Sequence, residues 1–289
     1  MRNGLIISKA TVRAFMIAVI ATLGLSGCNS GSEAPPADTM ASETPAPAPA
    51  TTPVEAAPCE LTMGWDPWEP YHFAAAGGEV QGLDIDVINA LGERVDCEFE
   101  FIQGNWASLL RLLQAGELDV LSGASITPER EAYAWFGDTY REERFTLFVR
   151  SEDTSQYQDR DLAALLADGF RVGVTQGYLY PEPIQMLQAD DNLADQFVEV
   201  AIGELNINAL MDYRIDGFLE DPFVVASIQR RSRVAGDIEA LGIDFGLYDV
   251  HLLFSKASVD EAKVNEINQA LQAMIDDGSH AEILQRYLN

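Results

Sequence analysis

The chain has 289 residues, of which 47% are hydrophobic and 22% charged, enough for a sizeable folded core. Its 46 acidic and 18 basic residues give a formal net charge of −28 at pH 7. Such a charge excludes nucleic acid and anionic membrane surfaces as partners and favours solubility.

The first 27 residues have the pattern of an export signal. Three basic residues, Arg2, Lys9 and Arg13, precede an apolar run over 14–25 that is too short to span a bilayer comfortably. The run ends in Leu25-Ser-Gly-Cys28, which resembles a bacterial lipobox and predicts a lipid on Cys28. The alternative is an ordinary secretory signal with a chance cysteine. Removal of residues 1–27 deletes no acid and takes the net charge to −31.

Residues 28–58 are rich in proline and alanine and have no periodic apolar pattern. Such a segment cannot bury a core, so it predicts an extended tether. Together with the lipobox, it predicts an exported protein on the periplasmic side of the cell envelope. The lipid on Cys28 would be the sole membrane attachment.

Two cysteines remain, Cys59 and Cys97, an even pair in an exported chain. Each opens a predicted strand, and a helix over 85–95 separates the two strands. Strands in such a βαβ unit are parallel and usually neighbours, so their like ends come within disulfide reach. A disulfide bond is therefore predicted; the alternative is two free buried thiols.

Strand and helix patterns alternate along the rest of the chain, which predicts an α/β fold. The predicted strands are 61–65, 98–103, 118–122, 145–149, 171–174, 197–200, 217–219 and 250–254. The predicted helices are 85–95, 106–115, 128–134, 205–213, 259–276 and 279–287. Crossings near 145–149 and 250–254 predict two open sheets joined by two hinge strands. Lobe 1 would comprise 59–146 and 249–289 and lobe 2 would comprise 147–248, with ligand bound in the cleft between them.

Polar groups collect where the strand at 118–122 runs into a helix. Gly123 allows a close backbone approach, Thr127 is a good N-cap, and Pro128 suits the first helical position. Ser125 and Arg130 flank this helix start, so the stretch predicts an anion site in which Arg130 grips a carboxylate. The alternative is a capped surface helix in which Arg130 pairs with a neighbouring glutamate.

Several segments together carry a family resemblance, although none is specific alone. They are Gly64–Phe73, Gly82–Leu91, Trp106–Leu113, Gly116–Asp119, Leu121–Arg130, Trp135–Tyr140 and Gly217–Asp221. In order and spacing, residues 59–289 resemble the family 3 extracellular solute-binding proteins, the polar amino-acid receptors of ABC importers. The resemblance implies a two-lobed, type II periplasmic-binding-protein fold.

The resemblance also implies which lobe 1 residues contact the ligand. Trp106 and Trp68 match aromatic residues that pack on the ligand, and Trp65 lies in the same loop region. Many relatives place an acid near Trp65 that binds the ligand's amino group. The nearest acid here, Asp66, is one position away from that pattern.

In lobe 2, the Thr175-Gln176-Gly177-Tyr178 segment matches a turn whose backbone N–H groups complete the carboxylate site. Asp221 matches the acid that pairs with the ligand's ammonium group. The alternative for Asp221 is an N-cap or a turn residue before Pro222.

These features predict a monomeric, non-enzymatic lipoprotein, without metal or cofactor, that captures an amino acid or related zwitterion for ABC transporter membrane subunits. One alternative is an enzyme resembling cyclohexadienyl or arogenate dehydratases, with Glu220 as an additional cleft acid. Another is a ligand-sensing receptor. The residues do not identify the ligand.

Overall fold

The computed structural model describes residues 58–232 and 236–287. The predicted signal peptide, the lipid on Cys28 and the tether up to residue 57 lie outside these residues. The described strands are β1 Cys59–Trp65, β2 Phe73–Ala74, β3 Val80–Gln81, β4 Cys97–Gln103, β5 Val120–Ala124, β6 Ala134–Arg144, β7 Thr146–Arg150, β8 Val172–Thr175, β9 Phe197–Val200, β10 Gly217–Glu220, β11 Ile238–Ala240 and β12 Leu247–Ser255. The described α-helices are α1 Leu83–Val95, α2 Trp106–Ala115, α3 Pro128–Glu131, α4 Thr154–Tyr157, α5 Leu162–Ala167, α6 Glu182–Gln188, α7 Leu205–Met211, α8 Pro222–Arg231, α9 Glu261–Asp277 and α10 Ser279–Tyr287.

The strands form two five-stranded sheets and a small β2–β3 ribbon. The first sheet has the order β4-β1-β5-β12-β6, and we call it, with its helices, lobe 1. The second has the order β11-β7-β10-β8-β9, and we call it, with its helices, lobe 2. The chain passes between the sheets at Phe145 and again over 241–246, so β12 returns the chain to lobe 1.

Helix α1 holds the loop after β1 in place. Its apolar residues Leu83, Val87 and Leu91 are buried, and its N-cap Gly82 has φ 135°. A Cβ at Gly82 would lie only 2.2 Å from the carbonyl oxygen of Tyr71. Glycine is therefore required where the loop carrying the cavity aromatics packs onto the start of α1.

The predicted disulfide between Cys59 and Cys97 is confirmed. The two cysteines are direct partners in the parallel β1–β4 pair, and their Cα atoms are 4.5 Å apart. This separation lies within the range that a disulfide can bridge.

Strand β6 was not predicted, and neither were the short strands β2, β3 and β11. The helix expected over 128–134 ends at Glu131, and β6 then runs from Ala134 to Arg144 along β12. This segment is a strand because it pairs with β12. Its charged end has little strand propensity of its own. The difference is important for function, since β6 carries Arg141 and Glu143.

Within the described ranges, no helix is long and apolar enough to cross a membrane.

Candidate ligand-binding site

A narrow cavity of about 20 Å³ lies between the lobes. Lobe 1 and the first crossing contribute Asp66, Trp68, His72, Trp106, Ser122, Gly123, Ser125, Arg130, Glu143 and Phe145, and lobe 2 contributes Tyr178 and Leu179. A space of this size holds about one water molecule and lies far below the range for small-molecule sites, so the lobes must move apart to admit a ligand.

Arg130 supplies a guanidinium group to this cavity wall. Thr127 caps α3 by accepting a hydrogen bond of 3.1 Å from the Arg130 backbone N–H, as the sequence predicts. The guanidinium is buried and donates to two carbonyl oxygens, Ser125 at 3.0 Å and Gly177 at 3.1 Å. No carboxylate in 58–232 or 236–287 forms an ion pair with Arg130. A buried cation without a counter-ion is costly, so this position favours an anionic ligand group.

At Gly123 the backbone of the cavity wall lies close to the side chains of Arg141 and Trp68, as predicted. Its φ is 69°, a conformation that side chains rarely adopt. A Cβ there would lie 3.3 Å from Nη2 of Arg141 and 3.5 Å from the Trp68 ring. The Gly123 N–H donates to the Tyr140 hydroxyl at 2.9 Å.

Three aromatic side chains hold the lobes together. The ring of Tyr178 in lobe 2 lies edge-on to Trp68 and Trp106 of lobe 1, with centroid distances of 6.0 and 6.3 Å. Trp106 Nε1 donates to the Gly177 carbonyl at 3.0 Å, and Trp68 Nε1 donates to Glu220 Oε1 at 3.0 Å. The lobes are therefore closed on each other.

Of the two residues that end β1 and begin its loop, Asp66 lines the cavity and Trp65 does not. Both are buried. Successive residues of an extended chain point to opposite sides, which explains why only one of them reaches the cavity. The Tyr178 hydroxyl donates to Asp66 Oδ2 at 3.4 Å, and burial raises the pKa of Asp66.

The turn at 175–178 presents a carbonyl oxygen to lobe 1, whereas the sequence predicts that it presents N–H groups to the ligand. Three of its N–H groups have acceptors within lobe 2: Thr175 donates to the Tyr180 hydroxyl at 2.7 Å, Gln176 to the Val200 carbonyl at 2.9 Å, and Tyr178 to the Thr175 carbonyl at 3.2 Å. Thr175 is buried, and Gln176 is exposed; neither lines the cavity. What the turn presents to lobe 1 is the Gly177 carbonyl, which accepts from Arg130 and Trp106.

Asp221 is the N-cap of α8, one of the two roles that the sequence left open as its alternative. Its Oδ1 accepts the N–H groups of Phe223 at 2.7 Å and Val224 at 3.4 Å. Its Oδ2 accepts the Tyr71 hydroxyl at 3.2 Å. Asp221 is buried and does not line the cavity, and burial raises its pKa.

Sequence reasoning missed a buried ionic cluster behind the aromatic residues. Arg141 Nε lies 3.0 Å from Asp84 Oδ1, and Arg141 Nη1 lies 3.6 Å from Glu143 Oε2. The guanidinium carbon of Arg141 also lies 3.9 Å from the centre of the Tyr71 ring. A run of charged residues usually marks a solvated surface. The sequence signal that could have identified this buried cluster is the two-residue spacing of Arg141 and Glu143. In a strand, this spacing places both side chains on one face.

Two buried glutamates at or beside the cavity have raised pKa values. Burial raises the pKa of Glu143 to about 8, with Arg141 opposing the shift. Burial likewise raises the pKa of Glu220 to about 8, with the Trp68 hydrogen bond opposing it. Among the described residues, no group of three or more His, Cys, Asp or Glu side chains is arranged to hold a metal ion.

Comparisons with known proteins agree with this architecture. The model of the bacterial extracellular solute-binding proteins, family 3, matches residues 61–289. A probable histidine-binding protein of Neisseria gonorrhoeae is 26% identical over 220 residues, covering 75% of this chain and 78% of that protein. ABC transporter arginine-binding protein 1 of Escherichia coli (strain K12) is 26% identical over 226 residues, covering 76% and 86%.

Solved structures also support this fold. An ancestral arginine-binding protein bound to arginine superimposes with a TM-score of 0.66 at 22% identity, covering 80% of this chain and 98% of that one. The predicted two-lobed type II periplasmic-binding-protein fold is thereby confirmed. The family match spans most of the chain, and the chain therefore belongs to family 3 of the bacterial extracellular solute-binding proteins.

Proposed function

We propose that this protein binds an amino acid between its lobes and delivers it to the membrane subunits of an ABC importer. The observation that carries the proposal is Arg130, a buried guanidinium that lines the interlobe cavity. Relatives whose names state histidine and arginine binding support an amino acid as the solute.

In this mechanism Arg130 holds the ligand's carboxylate through its planar fork, and Gly123 and Ser125 line the same end of the cavity. Trp68 and Trp106 flank the ligand. Asp66 attracts the ammonium group, because it is the acid that follows β1 on the same wall.

Lobe 2 contributes ligand contacts when it moves away from the closed arrangement of the two lobes. The N–H groups of the 175–178 turn and the carboxylate of Asp221 remain proposed contacts. Their hydrogen bonds are satisfied within the protein here, so a ligand must compete with those partners. A ligand that contacts both lobes drives closure through its higher affinity for the closed state.

For the whole protein, we propose a monomer on the periplasmic side of the envelope. Residues 1–27 would be a lipoprotein signal peptide, Cys28 would carry the lipid, and 28–58 would be the tether. Lobe 1 would comprise 59–146 and 249–289, and lobe 2 would comprise 147–248. The support is the Leu25–Cys28 motif and the extracellular family.

The structure does not favour the dehydratase-like alternative. Glu220, its candidate acid, does not line the cavity, and its Oε1 accepts from Trp68 Nε1 and the Asp221 N–H, both at 3.0 Å. The curated relatives named above are binding proteins. Turnover of prephenate or arogenate by the purified protein would contradict the binding proposal. A ligand-sensing receptor would share the binding step and differ only in its partner.

The test is a thermal-shift panel of the twenty amino acids, with sugars and dicarboxylates as controls. A ligand at a hundred times its dissociation constant should stabilise the protein by about 2.7 kcal/mol. Isothermal titration calorimetry should then give one site per chain. A panel in which no amino acid raises the melting temperature would contradict the proposal.

A further inference from the structure

The side chain of Tyr178 lies between the two tryptophans that the proposed function places beside the ligand. Its ring belongs to lobe 2 and is edge-on to Trp68 and Trp106 of lobe 1, with centroid distances of 6.0 and 6.3 Å. The cavity that remains beside the ring has a volume of about 20 Å³. In this arrangement the Tyr178 ring and an amino-acid ligand therefore exclude each other.

The same two-residue segment also contacts the polar groups that the proposed function assigns to the ligand. The Gly177 carbonyl oxygen accepts a hydrogen bond of 3.1 Å from Nη2 of Arg130, the proposed partner of the ligand's carboxylate. The Tyr178 hydroxyl donates to Oδ2 of Asp66 at 3.4 Å, and Asp66 is the proposed partner of the ligand's ammonium group. Gly177 and Tyr178 thus reproduce, from within the chain, each contact proposed for a bound amino acid. We call these two residues the plug.

The plug is a preformed part of lobe 2. Three N–H groups of the 175–178 turn have their acceptors inside lobe 2, so the shape of the turn does not depend on lobe 1. Gly177 has φ 80°, and a Cβ there would lie 3.3 Å from both Ala107 Cβ and Trp106 Cδ1. Glycine therefore permits both the turn and its close approach to the start of α2.

We propose that the plug is an internal competitor of the ligand, so that an amino acid binds only by displacing Gly177 and Tyr178 from its site. This inference rests on the proposed function, because it concerns regulation of the same site. The apparent dissociation constant of such a protein equals the intrinsic constant divided by the fraction of molecules whose site is open. The contacts of the plug therefore set the affinity together with the contacts of the ligand.

The test compares the parent protein with Tyr178→Ala in calorimetry with each of the twenty L-amino acids. If open molecules are a minor population of about 10% or less, Tyr178→Ala should bind the tightest amino acid at least about tenfold more tightly. Tyr178→Phe keeps the ring and loses the hydrogen bond to Asp66, so it should gain roughly two- to tenfold. Tyr213→Ala, at an exposed tyrosine of lobe 2, should bind like the parent.

Binding kinetics give a second measurement that a merely structural role of Tyr178 would not affect. Trp68 and Trp106 contact the Tyr178 ring, so tryptophan fluorescence in a stopped-flow instrument should follow the release of the plug. In the parent, the observed rate constant should level off at high amino-acid concentration, because release precedes binding. In Tyr178→Ala the plateau should be higher or absent.

Circular dichroism would verify that each variant is folded, and Tyr178→Phe preserves the packing if Tyr178→Ala does not fold. Equal or weaker binding by the folded Tyr178 variants would overturn internal competition and make Tyr178 a ligand contact or a packing residue. That outcome would leave the proposed function intact. Absence of binding of all twenty amino acids, by the parent and by the variants alike, would instead contradict the proposed function.

Discussion

Arg130 Nη2 in lobe 1 donates a hydrogen bond of 3.1 Å to the carbonyl oxygen of Gly177 in lobe 2. The group that we assign to the ligand's carboxylate therefore also links the two lobes. A ligand that takes over the guanidinium must replace this contact, so binding at Arg130 is coupled to the position of lobe 2.

The first prediction concerns Arg130. Arg130→Ala should weaken amino-acid binding by about 2 to 5 kcal/mol, roughly 30- to several-thousand-fold, because the carboxylate loses its buried partner. Calorimetry with the tightest ligand of the panel measures the change. Arg111→Ala is the matched control, since Arg111 is exposed on α2 and bonds only to Ser108 within the described contacts. Equal affinities of the parent and Arg130→Ala would show that Arg130 is only a cation at a helix end.

The second prediction concerns Tyr178, which lies between Trp68 and Trp106 and donates to Asp66. Tyr178→Ala should populate open conformations in the absence of ligand, because lobe 2 loses its main aromatic contact with lobe 1. Small-angle X-ray scattering should show a larger radius of gyration, which saturating ligand reduces again. Tyr213→Ala, at an exposed tyrosine of lobe 2, should leave the radius unchanged. A Tyr178→Ala protein with the parent's radius would mean that other contacts keep the lobes closed.

The third prediction concerns the Cys59–Cys97 disulfide, whose cysteines are 38 residues apart. Closing a loop of this length should stabilise the fold by about 4 kcal/mol through the entropy of the unfolded chain. Chemical denaturation with and without reductant measures the difference. The doubly substituted Cys59→Ser, Cys97→Ser protein should be insensitive to reductant. A parent protein whose free energy of unfolding is unchanged by reductant would contradict the expectation.

The fourth prediction concerns pH. Glu143 and Glu220 have folded-state pKa values raised to about 8, well above the ordinary glutamate value. The folded state therefore holds protons that the unfolded state has released, and the free energy of unfolding should fall as pH rises through 5 to 8. Burial lowers the pKa of His280, which contributes in the opposite direction near the acidic end of this window.

Thermal denaturation from pH 5 to 9 measures this dependence. Glu143→Gln removes one of the buried acids whose pKa is raised, so its melting temperature should depend less steeply on pH than that of the parent. Glu142→Gln should keep the parent's dependence, because Glu142 is exposed. Parallel pH curves for the parent and Glu143→Gln would show that Glu143 titrates normally.

The fifth prediction concerns the anchor. Cys28→Ala should release the mature protein from the membrane fraction, since the Leu25–Cys28 motif supplies the lipid in our proposal. Cell fractionation with and without detergent measures the partition. Membrane association that survives the substitution would contradict the lipoprotein proposal.

Local patterns were sufficient for most elements. The apolar spacing of α2 and the Asn105 cap that precedes it produce a helix over Trp106–Ala115, as predicted. Thr127 and Pro128 likewise begin α3 where predicted. These features depend on neighbours three or four residues apart, which the sequence displays directly. The disulfide could also be predicted, because a βαβ unit brings the starts of its two strands together.

Only the tertiary structure decided the walls of the cavity. Strand β6 forms because β12, more than a hundred residues later, pairs with it. That pairing buries Arg141 and Glu143, which otherwise belong to a charged run typical of a surface. Packing also turns Asp66 rather than Trp65 into the cavity and assigns Asp221 to cap α8. Sequence alone determined the family and most of the longer elements, because they follow from short-range patterns. The charges that face a ligand depend on long-range packing and burial, which set both their direction and their ionisation.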